Sequence, residues 1–435
     1  MRLPPPAILL TLFANTVHAG PFEDLFKAAQ QYDAVYAGAR AQYQADLENR
    51  EIGRAGLLPA AMLSASQGHA NYRRNDNSAP DINKKYQYDN QTLSLRLAQP
   101  LFDLEVWSLW RQGDLRASLA EVTWADAQQE LVIRYAQAYF EYLLARDSLD
   151  LARAQKAALA EQKSQAENLF KAGSATVTDI EETKARLQLA EAGELAAVNA
   201  VAARRRDLER LTGGLPANLP SAGAFKAVAP APADLETWVR EARSRNYTVN
   251  GQRFGVEIAQ QQVERVRAGH YPSAALVMDA QTSKEPNYLT HKDNNASIGV
   301  QVSLPLYEGG RVNAQTRQAV AALERARQDL ENAARDAEVK AVQSYLDVQN
   351  GIAQIDALEA ARRSSEITLD GMMSGQKVGL RTNTDVLNAQ QQVYDVRRNL
   401  QKERYGYLMS RMRLQSTVGS LGGDEVARVD RMLGH

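Results

Sequence analysis

The punctuation of this chain recurs at a fixed offset of 206 residues, which restricts the possible folds more than any other feature. Ala138-Tyr139-Phe140-Glu141 lines up with Ser344-Tyr345-Leu346-Asp347. Lys171-Ala172-Gly173, then Thr178-Asp179-Ile180, lines up with Lys377-Val378-Gly379, then Thr384-Asp385-Val386. Leu211-Thr212-Gly213 meets Thr417-Val418-Gly419 at the same offset, and Pro100 pairs with Pro305 at 205. Identities are sparse, but turn residues agree over a long span. That is the mark of a tandem duplication.

Each half parses alike. A helical segment comes first, Phe22 to Ala55 or Asp234 to Ala268, and is ended by Gly56-Leu57-Leu58-Pro59 or Gly269-His270-Tyr271-Pro272, since glycine and proline break helices. Two strand-length segments follow, separated by a polar loop, Asn71 to Asn90 or Gln281 to Asn295. A long helical pattern comes next, Asp103 to Lys171 or Glu308 to Gln376, and a glycine-bearing turn reverses the chain. A second helix returns over Asp179 to Leu211 or Asp385 to Gln415. Each long helix would run roughly 100 Å at about 1.5 Å per residue. The paired shorter helices, stacked end to end, would flank one long helix over its length. The domain reading is therefore a leader at 1–19, a first repeat at 20–213, a Pro/Ala/Gly linker at 214–233, a second repeat at 234–419 and a tail at 420–435.

In the second long helix, small or apolar residues from Ala319 through Leu323, Ala326 and Leu330 to Leu358 step by four and three. This is a coiled-coil seam with one extra four-residue step. Many seam residues are Ala, Ser or Gly, which lets neighbouring backbones approach closely. A solvated coiled coil would account for the helices and leave the strands unexplained.

The start of the chain fits a secretory leader. Arg2 supplies the positive region, Ala7 to Val17 the apolar run, and Val17-His18-Ala19 a small-x-small cleavage site before Gly20. Beyond it no apolar run reaches the length of a membrane-spanning helix. Any membrane contact must then come through strands.

The strands alternate. Leu93, Leu95 and Leu97 interleave with Ser94, Arg96 and Ala98; Ile298, Val300, Val302 and Leu304 interleave with Gly299, Gln301 and Ser303. One apolar and one polar face suits a half-buried soluble sheet or a transmembrane β-barrel. The leader favours the barrel. So do aromatic residues at both ends, Phe102, Tyr271 and Tyr307 on one side and Tyr72, Tyr86 and Tyr88 on the other. The seven apolar residues are then lipid-facing. The preceding strands, near Ala61 to Ala70 and Ala274 to Ala280, alternate poorly. Four strands cannot close a membrane barrel, because the smallest have about eight, and open edges are not tolerated in lipid. A membrane-spanning form must be an oligomer.

Composition excludes other classes. With 51 basic and 52 acidic residues there is no electrostatic case for nucleic acid. With no cysteine there are no disulfides, thiolate metal sites or cysteine nucleophiles, and no lipid anchor on an N-terminal cysteine. The five histidines, at 18, 69, 270, 291 and 435, show no HExxH spacing. Phosphate-loop, dinucleotide and nucleophile-elbow motifs are missing, so no enzyme, metal or cofactor is expected. Asp179 and Asp385, each after a threonine, suit the first turn of the returning helix, where acids complement the dipole.

This layout resembles the TolC family of outer-membrane efflux proteins over essentially the whole mature chain. The carriers are the duplication, the P-L-[FY]-[DE] junctions at Pro100 to Asp103 and Pro305 to Glu308, and the tip turns KAGSATVTDIEETKARL and KVGLRTNTDVLNAQQQV. The resemblance implies a mixed architecture: a homotrimer with four strands per protomer in a twelve-stranded outer-membrane β-barrel, continued by an α-helical barrel through the periplasm. It implies a periplasmic adaptor, met by the tip turns at Gly173, Gly379 and Leu380, and an inner-membrane ABC or RND transporter. By the same resemblance Asp385 rings the pore entrance, Asn388 stands where a second acidic ring is usual, and Thr178, Asp179 and Arg381 join neighbouring coils. Gln376 replaces the family's partnering tyrosine. Lack of the anchor cysteine leans toward the type I secretion branch. The competing reading is a periplasmic coiled-coil scaffold or adaptor without a pore.

Overall fold

A computed structural model describes residues 20–73, 85–216, 219, 223, 225–285 and 291–434. The predicted leader lies outside them, as do residues 74–84 and 286–290 of the two polar loops between strands. The described chain forms two compact units, each drawing on both repeats.

The first unit takes the chain up to Gly38, Ala127–Ala242 and everything from Val339 onward. It holds helix α1 (Pro21–Tyr32) and the greater part of α4 (Leu104–Lys171). It also holds α5 (Val177–Thr212), most of α6 (Leu235–Arg245), the later part of α8 (Arg311–Lys377), α9 (Asn383–Thr417) and α10 (Gly423–Met432). Its core is aromatic. The Phe22 ring lies 4.8 Å from that of Tyr139, 5.0 Å from Tyr135 and 5.6 Å from Phe140, and all four are buried. Tyr135 Oη donates to the Phe22 carbonyl at 2.6 Å, so the ring that fills the core also satisfies a backbone acceptor.

The segment between repeats has no regular element in its described residues, yet side chains from α6, α8 and α9 fasten it. Tyr407 Oη accepts from the Val228 amide at 2.9 Å, Tyr345 Oη donates to Ala233 O at 2.6 Å, and Trp238 Nε1 donates to Pro232 O at 2.8 Å. At Gly351 the backbones of α8 and α9 come close, because a Cβ there would meet Tyr407 Cβ at 3.4 Å. The predicted α8 seam is realised: every position named for it above is buried or half-buried.

The second unit comprises Ala39–Asp126 and Arg243–Glu338. It contains the rest of α2 (Ala34–Leu47), α3 (Asn49–Ala55) and α7 (Tyr247–Arg267), the start of α4 and α8, and four strands: β1 (Ala60–Arg73), β2 (Lys85–Phe102), β3 (Ser273–Glu285) and β4 (His291–Ser303). The strands form one antiparallel sheet in the order β1-β2-β3-β4. A register shift at Pro100/Phe102 marks the end of the β2–β3 ladder, where proline has no N–H to donate.

Several predicted boundaries shift, each for a local reason. The single helices expected over 22–55 and 234–268 are broken at Asp33 and Glu48, and at Asn246. Asp33 Oδ1 accepts from Val35 N at 2.8 Å and Asn246 Oδ1 from Val249 N, so both side chains compete for backbone donors and restart the helix. The strands run further into the expected loops, because ladder hydrogen bonds do not need apolar side chains. α8 begins at Arg311 rather than Glu308, after Gly309 and Gly310 with φ of 62° and 81°. Leu304, assigned to the strand, lies one residue beyond the end of β4 and before Pro305. Within the predicted tail, Gly423–Met432 is helical, with Val426 and Val429 buried and Glu425 paired to Arg411 at 2.6 Å.

Candidate functional site

Two helical hairpins, α4–α5 and α8–α9, end in turns built alike. In the first, Gly173 takes φ +74° and the Ser174 amide donates to Leu169 O at 2.8 Å; in the second, Gly379 takes φ +75° and the Leu380 amide donates to Gly375 O at 2.9 Å. This is the Schellman closure, and its left-handed residue is why glycine recurs at the 206 spacing. Helices α5 and α9 then restart at capping boxes. Thr176 and Thr382 are the N-caps, and Asp179 and Asp385 stand at the third helical position. In the second box Thr382 N donates to Asp385 Oδ2 at 2.9 Å and Asp385 N donates to Thr382 Oγ1 at 3.1 Å.

These bonds hold the Asp385 carboxyl below the usual aspartate range, chiefly through the Thr382 amide and hydroxyl and further through the Arg381 charge. The carboxylate is thus fixed and ionised while half-buried. Such a group can attract a cation and can do nothing covalent without a nucleophile or base beside it.

α5 and α9 join at this end through polar side chains. Asn383 Nδ2 donates to Thr183 Oγ1 at 2.9 Å, Thr384 Oγ1 to Glu182 Oε2 at 2.7 Å, and Arg186 to Asn388 Oδ1 at 2.8 Å. Gln376 Nε2 donates to Asn383 Oδ1 at 3.3 Å. Gln376 therefore belongs to one cluster with Asn383 and Thr183, and Asn388 to a second with Arg186, Glu182 and Thr384. Arg381 packs its stem against Gly375, where a Cβ would come within 2.8 Å of Arg381 Cγ. Thr178 is exposed on the first turn of α5, and Leu380 is 80% exposed at its turn. Of the joining residues, sequence reasoning named Gln376 and Asn388 and missed Asn383, Thr183, Glu182 and Arg186. The T-x-x-D spacing at both tips is the signal that could have placed the caps.

The sheet's register sorts its side chains by polarity. Leu63 stands opposite Leu95, Leu95 opposite Ala280, and Ala280 opposite Ala296; one step along, Ala61, Leu97, Met278 and Ile298 are in line. Val300 lies opposite Leu276, and Val302 opposite Ala274 on the same face. Leu93, opposite Ala65 and Thr282, ends this stripe. On the other face Arg96 lies 3.8 Å from Asp279, and Ser64 Oγ is 2.6 Å from Ser94 Oγ. Leu95 and Ile298 are 47% and 65% exposed in the protomer. Register puts Leu63, Leu276 and Met278 with alanines on the apolar face and Met62 and Val277 on the other, which is why β1 and β3 alternate poorly as text. β1 and β4 each have one neighbour, and no helix among the described residues is long and apolar enough to cross a membrane. An apolar sheet face with open edges is suited to lipid only when a ring of strands closes it.

The model of the family described as outer membrane efflux protein matches residues 27–214 and 238–420, one segment for each repeat. Alkaline protease secretion protein AprF of Pseudomonas aeruginosa is 33% identical over 404 residues, covering 92% of this chain and 84% of its own. Proteases secretion protein PrtF of Dickeya chrysanthemi is 31% identical over 438 residues, covering 97% and 93%. Among solved structures, the outer membrane protein VceC of Vibrio cholerae shares the fold with a TM-score of 0.78 at 20% identity, covering 92% of this chain and 96% of its own. The likeness takes in both tips, all four strands and the duplication that relates them. The chain accordingly belongs to the outer membrane efflux protein family and is a TolC-like export channel of the Gram-negative outer membrane.

Proposed function

We propose that this channel is the outlet of a type I secretion system and passes an exported protein, of the protease class, to the outside. It works as a homotrimer with a periplasmic adaptor and an inner-membrane ABC transporter. The observation that carries this reading is the 33% identity over 92% of the chain to a protein named for alkaline protease secretion. The 31% identity to a proteases secretion protein supports it. Three protomers supply the twelve strands that four alone cannot close. The tip turns at Gly173, Gly379 and Leu380 meet the adaptor. Three copies of Asp385 form a ring of like charge at the pore entrance, which attracts cations and repels anions.

A clean deletion tests the reading. It is scored in parallel for secreted proteins in the medium and for sensitivity to dyes, detergents and antibiotics. Loss of a secreted protease with unchanged drug tolerance is expected. Broad hypersensitivity with normal secretion would assign it instead to small-molecule efflux with an RND transporter. A protein that washes out of the membrane with carbonate would be a scaffold without a pore.

A further inference from the structure

The apolar stripe of the sheet gives way, toward the loops, to a row of different character. Two residues beyond Leu93, Gln67 stands opposite Gln91, Gln91 opposite Lys284, and Lys284 opposite Lys292. Because side chains alternate along a strand, this row shares a face with Leu63, Leu95 and Ile298. All four residues are exposed. Tyr88, expected in an aromatic girdle at this end, falls on the opposite face by the same count. This edge of the apolar face carries two cations instead.

The lysine pair is unfavourable as it stands. Like charges directly opposite on neighbouring strands repel, with Cβ atoms about 5 Å apart. Among the described residues neither lysine has an ion-pair partner: Asp89, on this face, lies 2.9 Å from His69 Nδ1, and Asp279 and Asp293 fall on the other face, where Asp279 meets Arg96. One row back, Thr282 Oγ1 donates to Asn294 Oδ1 at 3.0 Å, so those two side chains bond to each other.

The height of the row says what it faces. From Val302 to Lys292 the strand advances ten residues. That is about 33 Å at ~3.3 Å per residue, and about 25 Å in height at the ~40° tilt of membrane-barrel strands. It equals the height of the apolar band of such barrels. The helices leave from the other edge, on the periplasmic side, so the lysines stand at the level of the outer leaflet. In the Gram-negative outer membrane that leaflet is phosphorylated glycolipid. A groove of about 640 Å³ beside the pair is lined by Leu93, Gln91 and Thr282 as well as by both lysines.

We propose that Lys284 and Lys292 of each protomer bind a phosphate of outer-leaflet lipopolysaccharide, with its acyl chains along the Leu93 and Leu95 stripe. One phosphate between the two ammonium groups turns a repulsive cross-strand pair into two charge-assisted contacts. The lysine stems cover apolar surface while their charges reach the headgroup level. Gln67 and Gln91, in the same row, supply amide donors for the sugar. The lipid then fastens the sheet in the leaflet that only the outer membrane has. This rests on the barrel reading of the sheet and is independent of what the channel exports.

The test uses full-length protein purified from the outer membrane in mild detergent and stripped of lipid. It is titrated with bisphosphorylated lipid A and, separately, with the dephosphorylated form, and bound lipid is counted by native mass spectrometry. Binding of one lipid per protomer that needs the phosphates is expected. The Lys284→Gln/Lys292→Gln protein should bind about tenfold more weakly for each lysine lost, and Lys284→Arg/Lys292→Arg should retain binding. Unchanged affinity in the glutamine form, or equal affinity for the two lipids, would overturn the inference. Equal loss in the arginine form would place the effect in packing and overturn it as well. A chain that yields no SDS-resistant oligomer would overturn the barrel reading and the inference with it, whereas a stable oligomer blind to phosphate overturns the inference alone.

Discussion

Thr382 and Asp385 hold each other at the start of α9: the threonine amide donates to the carboxylate at 2.9 Å, and the aspartate amide donates to the threonine hydroxyl at 3.1 Å. The same exchange joins Thr176 and Asp179, 206 residues earlier, at 2.8 and 3.2 Å. One acid therefore fixes a helix start and, in the proposed trimer, charges the entrance.

The two roles separate by substitution. Asp385→Ala should abolish block by trivalent cations in single-channel recordings. Thr382→Ala should retain block while costing about 1 kcal/mol of local helix stability, the usual effect of losing a cap. Unchanged block in Asp385→Ala would remove the ring from the account.

The sign of the pH dependence follows from the Thr382 bonds. Because they depress the folded-state pKa of Asp385, its contribution is fully present above the unfolded value near ~3.9 and is lost only as the pH falls through the lower folded value. Cation block titrated in bilayers should thus persist to about pH 4 and fade below it. Fading between pH 5 and 7 would point to another group.

The polar seam between α5 and α9 should set the resting state of the tip. Replacing both Asn383 and Asn388 by alanine removes acceptors or donors for Thr183, Gln376 and Arg186. The double variant should raise resting conductance more than either single change, because each removes a separate set of bonds between α5 and α9. Identical conductance in all four channels would show that this seam does not gate.

Inside the helical unit, Tyr405 Oη donates to Asp147 Oδ2 at 2.7 Å, and both residues are buried. Tyr405→Phe keeps the ring and deprives a buried carboxylate of a donor, which should cost about 1–3 kcal/mol. Guanidinium unfolding followed by circular dichroism measures it. A shift below the low end of that range would mean that other partners of Asp147 suffice.

The two faces of the sheet should tolerate charge unequally. Leu95→Arg or Ile298→Arg places a cation on the apolar face, where the cost near a bilayer midplane is about 2–4 kcal/mol. Ser94→Arg places it on the face that already holds Arg96 and Asp279. The amount of heat-modifiable protein in the outer-membrane fraction should fall for the first two and hold for the third.

The repeat, the hairpins and the polarity of β2 and β4 were legible because their signals are periodic in the text. Gly173 and Gly379 were legible for a different reason, since a left-handed turn residue is nearly always glycine. The breaks at Asp33 and Asn246 were not, because a side chain that caps in one context is an ordinary helix-surface residue in another. α10 was hidden by its brevity: ten residues carry little pattern, and it is held by Arg411 on the preceding helix and by Phe22 near the other end of the chain. The faces of β1 and β3 needed register, which is a property of pairs of strands.

The open edges of β1 and β4 have a consequence for how the channel comes into being. A protomer that entered the bilayer alone would carry two rows of unpaired amides and carbonyls into hydrocarbon, each group costing several kcal/mol. In the proposed trimer insertion and ring closure are therefore one event, and its rate should rise more steeply than linearly with the supply of protomers. A chain with one damaged edge would still be recruited, and would spoil the intact chains beside it.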